Sequence, residues 1–182
     1  MNISELDKKN LVKEIAFTLS KKQKLSYAVD FHAFVEGRKL VLAGVEFDNF
    51  NKGPNTRRTD GDVVAHAIVM ALSGATNTGD IDDWFPDKGK TGIRSMDYLP
   101  DIYERLIKEK DILIGNIDVT IICGEQPRMK KRVLEMRKNI SNDLKVELEQ
   151  VHVKVSSKDG KDEMAKLEGI EAHVIVSLWE GL

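Results

Sequence analysis

Residues 59–75 read TDGDVVAHAIVMALSGA, and the last fourteen of them, beginning at Asp62, are almost entirely apolar. This composition predicts a helix over 62–75, with Asp60 or Asp62 capping its N-terminus and a glycine near its end. A helix with few polar residues is buried in the core of its domain. His66 is the one ionisable residue in the helix after Asp62, and it lies one turn inside. The stretch therefore predicts a central buried helix that carries one residue able to do chemistry.

Runs rich in β-branched and aromatic residues predict strands before and after this helix. They are LSYAVDFHAF (25–34), KLVLAGVEF (39–47), LIGNIDVTIIC (113–123), VHVKVSS (151–157) and IEAHVIVSLW (170–179). We expect the first two runs to pair with each other. Further helices are expected at 96–111 and at 127–144, where Pro127 suits the first helical position. Four or five strands with three or four helices predict the α+β class: a two-layer α/β sandwich with one mixed sheet covered on one face by helices.

The length of 182 residues, 41% of them hydrophobic, suits one sizeable core. The segment LVKEIAFTL (11–19) spaces its apolar residues on one helical face. We therefore expect an N-terminal helical extension over 1–24 and one domain over 25–182.

Charge and cysteine content narrow the functional classes. The chain has 28 Lys and Arg against 30 Asp and Glu, so no global field favours nucleic acid or an anionic membrane as a partner. The sequence has no stretch typical of a signal peptide or a membrane span. The single cysteine, Cys123, excludes an intramolecular disulfide and a multi-cysteine metal site. We expect a soluble, cytoplasmic protein.

A candidate metal site combines two segments. Residues two apart in a strand share a face, so Asp30 and His32 of VDFHAF lie side by side. With His66 they would supply a carboxylate and two imidazoles and leave a fourth position open for water or substrate. Taken alone, an Asp-x-His strand is more often a surface pair, and a single helical histidine is more often structural. The same ligand set suits zinc or non-haem Fe(II).

Five blocks in order resemble the methylerythritol cyclodiphosphate synthase family of the non-mevalonate isoprenoid pathway. They are VDFHAF, TDGDVVAHAIVMALSGA, TGDIDDWFPD, GNIDVTII and EGI, between about Tyr27 and Leu178. The resemblance implies a homotrimer of small α/β subunits with active sites at the subunit interfaces. It implies a CMP-forming lyase that closes the diphosphate ring of CDP-methylerythritol phosphate.

The resemblance also implies the metals. Asp30, His32 and His66 would bind Zn²⁺, and its open position would take a phosphate oxygen. A second divalent cation, Mg²⁺ or Mn²⁺, would be held by Asp159, where the family has a glutamate. Divalent cations offset the repulsion between the two phosphates that react.

Residues for the substrate are carried over in the same way. Asp80 matches the aspartate that binds the ribose hydroxyls. The other implied nucleotide and substrate residues are Asp87 of the FPD block, Pro127, Arg128, Ser156, Ser157 and Lys166. At the phosphate end, Arg58 and Thr59 stand where the family has His-Ser, and we include both, together with Asp159, among the catalytic candidates.

Several positions depart from the family pattern, and most of them would lie near the phosphates. An arginine binds phosphate well but cannot act as a neutral imidazole. The departures are Arg58, Thr59, Met70, Asp82, Arg94, Asp159 and Lys166. Two functions therefore stay open: a divergent cyclase, or a paralogue that binds metal and nucleotide without closing the ring.

Overall fold

The computed structural model describes residues 4–180. The helices are α1 (Glu5–Lys22), α2 (Val63–Thr76), α3 (Ile81–Trp84), α4 (Tyr98–Ile102) and α5 (Val133–Asp143). The strands are β1 (Gln23–Glu36), β2 (Val41–Leu42), β3 (Val45–Glu46), β4 (Lys52–Pro54), β5 (Ile112–Ile122), β6 (Val151–Ser156) and β7 (Gly169–Glu180). A π-helical segment, Tyr103–Lys108, continues α4. None of the helices in the described residues is long and apolar enough to cross a membrane.

Five strands form the main sheet in the order β4-β1-β7-β5-β6. The pair β5 and β6 is parallel, and the other neighbours are antiparallel. Alternate residues of β7, such as Val174 and Val176, are fully buried beneath α2. The predicted α+β class, a mixed sheet covered on one face by helices, is confirmed.

Helix α2 is the centre of the helical layer. Asp62 caps it by accepting hydrogen bonds from the backbone N–H groups of Val64 and Ala65. Nine of its fourteen residues are buried. At its end, Asn77 adopts a left-handed conformation and closes the last turn. The predicted buried helix is confirmed, and of the two aspartates considered, Asp62 is the cap.

The expected pairing of KLVLAGVEF with the preceding strand was wrong. Ala43 and Gly44 both have positive φ, at 46° and 73°. Two such residues form the tight turn that reverses a chain into a hairpin, so the run folds on itself as β2 and β3. Strand β1 pairs instead with β4 and β7.

The expected position of Pro127 was also wrong. Pro127 precedes a short 3-10 segment, Met129–Arg132, and α5 begins only at Val133. A proline at the first helical position is a statistical preference, and here Pro127 lies in the turn before the helix instead.

The second face of the sheet is left uncovered by the rest of residues 4–180. Large apolar side chains on it are 49–69% exposed. These are Leu25, Tyr27, Phe31, Leu113 and Ile175. We call this set the open sheet face. Helix α1 lies within the predicted extension 1–24, and its apolar residues, such as Leu11 and Ile15, are also exposed. The division into an extension and a domain stays a prediction.

Candidate functional site

Strand β1 and helix α2 bring Asp30, His32 and His66 together. The Oδ2 atom of Asp30 lies 3.0 Å from Nδ1 of His66 and 3.4 Å from Nε2 of His32. All three candidate ligand atoms lie within 4.8 Å of one another. Ligands about 2.0–2.1 Å from a tetrahedral zinc ion lie about 3.3 Å apart. The spacing of these atoms therefore suits one divalent cation.

The surroundings of His32 agree with this interpretation. Its Nε2 atom is buried and has no hydrogen-bond partner among residues 4–180. Burial lowers the pKa of His32, against the opposing attraction of Asp30 and with a further lowering from His66. A neutral imidazole with a free lone pair is the form that binds a metal. The group can hold a metal ion.

A second set of groups surrounds the other side of His66. Its Nε2 atom lies 2.9 Å from Oγ of Ser95, and Ser95 donates a hydrogen bond of 2.5 Å to Oδ1 of Asp60. The ring of Tyr98 stacks on the imidazole with 6.2 Å between the ring centroids, and the ring of Phe85 stacks on that of Tyr98 with 3.9 Å between centroids. Helix α2 thus supplies the histidine, and Ser95, in the segment before α4, contacts its Nε2 atom.

The sequence did not reveal all of these neighbours. From the sequence, no role was assigned to Ser95 or to Tyr98. Asp60 was considered only as a helix cap. The signal for Asp60 is the Asp-Gly-Asp turn itself, because only one of its two aspartates can be the N-cap and the other is left for a different contact.

Arg58 and Asp82, both departures from the family pattern, contact each other. Nη1 of Arg58 lies 3.0 Å from Oδ1 of Asp82, which belongs to α3. The Asp82 side chain is 77% exposed and that of Arg58 only 24%. Next to Arg58, Thr59 is buried and accepts a hydrogen bond from the backbone of Gly61. The arginine therefore links α3 to the turn before α2.

Four of the residues predicted for the nucleotide line one cavity of about 400 Å³. They are Pro127, Arg128, Ser156 and Ser157. The cavity lies at the ends of β5 and β6. Buried Cys123 also lines it, and burial raises the pKa of its thiol to about 11.

The cavity and the candidate metal group lie at the same level of the sheet. Phe31 pairs with Glu171, Glu171 with Ile122, and Ile122 with Ser156. Phe31 lies between Asp30 and His32 in β1. Three strand spacings therefore separate it from Ser156. At about 4.8 Å per spacing this is about 14 Å.

The remaining predicted residues are not members of the metal group. Asp80 caps α3, which packs against α2, and accepts from the backbone of Asp82 and Asp83. Asp87 accepts from the backbone of Gly89. Asp159 is exposed on a turn with φ of 50°, and Lys166 is exposed in the segment before β7.

A mixed sheet with helices on one face, and an Asp-His-His group between its first long strand and its central helix, define the class: an α+β protein with a candidate metal centre. The model of the YgbB family matches residues 24–179. The chain belongs to this family.

Individual relatives agree with this assignment. A 2-C-methyl-D-erythritol 2,4-cyclodiphosphate synthase from Alkaliphilus metalliredigens is 40% identical over 84% of this chain and 95% of its own length. IspF from Plasmodium falciparum, solved as a CDP complex, aligns with a TM-score of 0.74 and 25% identity over 88% of this chain and 97% of its own. The bifunctional IspDF from Campylobacter jejuni aligns with a TM-score of 0.79 and 27% identity over 87% of this chain. The chain spans 42% of that bifunctional protein.

Proposed function

We propose that this protein is a metal-dependent cyclodiphosphate synthase. It converts CDP-methylerythritol 2-phosphate to methylerythritol cyclodiphosphate with release of CMP, in isoprenoid precursor synthesis. The observation that carries the proposal is the Asp30-His32-His66 group with ligand spacing, in a chain whose relatives carry this synthase name over nearly their whole length. No feature of the described residues favours the non-cyclising alternative.

Asp30, His32 and His66 would hold Zn²⁺. A bound zinc ion polarises a phosphate oxygen and offsets the charge of two phosphates that must approach each other. Asp30 supplies the anionic ligand, and the two imidazoles are neutral donors. Fe(II) accepts the same donors, so the choice of zinc follows the family resemblance.

Asp159 would hold the second divalent cation, Mg²⁺ or Mn²⁺. Its carboxylate is exposed on a turn and keeps the charge of the family's glutamate, although it is one methylene shorter. Hard oxygen ligands suit both ions.

The phosphate end would be formed by Arg58, Thr59 and Lys166. Arg58 offers a planar set of N–H donors that fits a phosphate, and it is free to bind one once Asp82 is displaced. Thr59 accepts a hydrogen bond from the backbone of Gly61, and its hydroxyl lies 3.5 Å from Nε2 of His66. Lys166 supplies a further cation from the segment before β7.

The nucleotide would occupy the cavity at the ends of β5 and β6. Its size suits a pyrimidine base, and Ser156 and Ser157 supply hydroxyl groups while Arg128 supplies a cation. Asp80 would accept hydrogen bonds from the ribose hydroxyls, and Asp87 would lie nearby in the same loop.

We propose a homotrimer with its active sites between subunits. Base and ribose are neighbours in the substrate, yet Asp80 belongs to the α2 side and the base cavity lies at the β5–β6 edge. A cavity contributed by an adjacent copy would bring the two sets together. The open sheet face supports this proposal, because exposed apolar patches mark interfaces between proteins.

A cytoplasmic location is part of the same proposal. The substrate is a charged nucleotide diphosphate that is made and used where nucleotide pools are found. The free thiol of Cys123 suits a reducing compartment.

Phosphorus NMR tests the reaction directly. The purified protein is incubated with zinc, magnesium and CDP-methylerythritol 2-phosphate. We expect the substrate signals to be replaced by those of a cyclic diphosphate and CMP. An unchanged spectrum from protein that is shown to bind zinc and CDP would contradict the cyclase and support the non-cyclising paralogue.

Replacement of His66 tests the metal assignment. We expect His66→Ala to lose stoichiometric zinc and ring closure, because two remaining ligands do not hold the ion tightly. The fold should persist, since the site lies on a core that α2 and the sheet already form. His152→Ala is the matched control, because that exposed histidine of β6 lies outside the metal group. Zinc content equal to wild type in His66→Ala would show that the assignment is wrong.

A further inference from the structure

The two ring nitrogens of His66 face different groups. Nδ1 lies 3.0 Å from Oδ2 of Asp30, on the side of the metal group. Nε2 lies on the opposite side, 2.9 Å from Oγ of Ser95 and 3.5 Å from Oγ1 of Thr59. A histidine binds a metal through one nitrogen, and the partner of the other nitrogen decides which one is available.

The direction of the hydrogen bonds decides the position of the proton. Ser95 has a single hydroxyl proton, which it donates to Oδ1 of Asp60 at 2.5 Å. A carboxylate can only accept, so the Ser95 hydroxyl is the donor in its hydrogen bond with Asp60. It has no second proton to donate to His66. Towards His66, Oγ therefore offers only a lone pair. Thr59 Oγ1, the other hydroxyl near Nε2, is farther away at 3.5 Å, so Ser95 is the closer partner. The tautomer with its proton on Nε2 is the one that donates to Ser95, and it leaves the lone pair of Nδ1 pointing at the metal group.

Asp60 and Ser95 are themselves held by the backbone. Oδ1 of Asp60 also accepts from the backbone N–H groups of Ser95 at 3.1 Å and of Asp62 at 3.3 Å. The N–H of Asp60 donates to the carbonyl of Ile93, and the N–H of Ile93 donates to that of Arg58. Ser95 is fully buried. Two separate loops are thus joined where they contact His66.

We propose that Asp60 and Ser95 are positioning residues that fix the tautomer and the ring orientation of His66, so that Nδ1 is the nitrogen that binds the cation. Neither residue is one of the three candidate ligands, and Ser95 contacts only the nitrogen of His66 that faces away from the metal group. They act through the imidazole of His66. Their loss therefore lowers the affinity for the metal, and any change in the reaction follows from that. This inference rests on the proposed zinc centre, and the measurements below separate the two.

Zinc affinity of the purified protein, measured by competition with a chelator, is the first test. We expect Ser95→Ala and Asp60→Ala to bind zinc about 10- to 100-fold more weakly than wild type, as is typical when the partner of a ligating histidine is lost. Asp60→Asn keeps an acceptor oxygen for the serine and should recover most of the affinity. Ser73→Ala is the matched control, because Ser73 is an equally buried serine whose hydroxyl bonds to the carbonyl of Met70. Circular dichroism verifies that each variant is folded.

Nitrogen-15 NMR of the histidines in zinc-loaded wild-type protein is the second test and needs no variant. We expect His66 to show a protonated Nε2 and a metal-bound Nδ1. In Asp60→Ala, the serine hydroxyl is free to donate to Nε2, so the fraction with a proton on Nδ1 should rise in the metal-free protein.

The outcomes distinguish this inference from the proposed function. A metal-bound Nε2 in wild type, or wild-type zinc affinity in both alanine variants, would overturn it even if the enzyme forms cyclic diphosphate. A protonated Nε2 with weakened zinc binding in the variants would support it, even if wild type released no CMP.

Discussion

At the scale of single residues, Asp62 joins two elements. Besides capping α2, its carboxylate accepts from the backbone N–H groups of Ala43 and Gly44 at 2.9 and 2.8 Å. It is completely buried. One side chain therefore satisfies four backbone donors and fixes the β2–β3 turn against the start of the central helix.

Asp62→Ala should destabilise the protein by about 3–5 kcal/mol, because four donors lose their acceptor and most of them are buried. The measurement is urea unfolding followed by circular dichroism. Asp80→Ala is the control, because Asp80 also caps a helix but is exposed, and we expect it to cost about 1 kcal/mol or less. Equal losses in the two variants would mean that burial of the cap has no importance here.

The pH dependence of stability gives a second expectation for Asp62. Burial raises its pKa to about 6 from an ordinary 3.8, while the backbone hydrogen bonds act in the opposite direction. As the pH rises, the unfolded chain loses this proton first, so the contribution of Asp62 to stability falls between about pH 4 and pH 6. Asp62→Asn should remove that part of the profile, measured as unfolding free energy against pH. A profile of unchanged shape would contradict the raised pKa.

At the scale of elements, the short helix α3 is tied to the turn before α2. Arg58 pairs with Asp82, and the guanidinium of Arg105 lies 4.9 Å above the ring of Trp84. Phe85 stacks on Tyr98 next to His66. Helix α3 and the residue after it are thus packed against the site by aromatic and charged contacts. The contact of Asp82 with Arg58 competes with the phosphate that we expect Arg58 to bind.

Asp82→Ala should lower the KM for the substrate severalfold, because it frees Arg58 for the phosphate. The melting temperature should change little, since an exposed ion pair contributes about 1 kcal/mol or less. Steady-state kinetics and thermal unfolding provide the measurements. Asp97→Ala, which removes the exposed partner of Arg94, is the control and should leave KM unchanged. A KM in Asp82→Ala equal to wild type would mean that the pair does not compete with substrate.

At the scale of the whole molecule, the sheet is asymmetric. One face packs on α2 and is buried, and the open sheet face presents large apolar side chains to solvent. In the proposed trimer this face meets the other copies.

Ile175→Glu should convert the trimer to monomers, because it places a charge at the centre of the open sheet face, opposite Tyr27. Sedimentation velocity gives the mass in solution. Leu134→Glu is matched to it in exposure, 51% against 49%, but lies on α5, and it should leave the assembly intact. A wild-type protein that sediments as a monomer would refute the trimer outright.

The local pattern of the sequence was enough to predict the main elements of the fold. The apolar run after Asp62 could only be a buried helix, and period-two alternation in β1 placed Asp30 and His32 on one face. The hairpin at Ala43 and Gly44 was missed because an alanine with positive φ is uncommon, and Ala-Gly is not a sequence typical of a hairpin turn. The sequence also could not predict which site residues lie in the metal group and which line the cavity. That division depends on the order of strands in the sheet.

The sequence by itself determined the α+β class, the central helix, the three candidate metal ligands and the family resemblance, because these depend on residue type and short spacing. Only the tertiary structure decided which aspartate caps α2 and which one holds Ser95 against His66. Only the tertiary structure paired Arg58 with Asp82 and left one face of the sheet open. The physical reason is that hydrogen bonds and ion pairs between distant segments depend on distances of a few ångströms, which the folded chain sets.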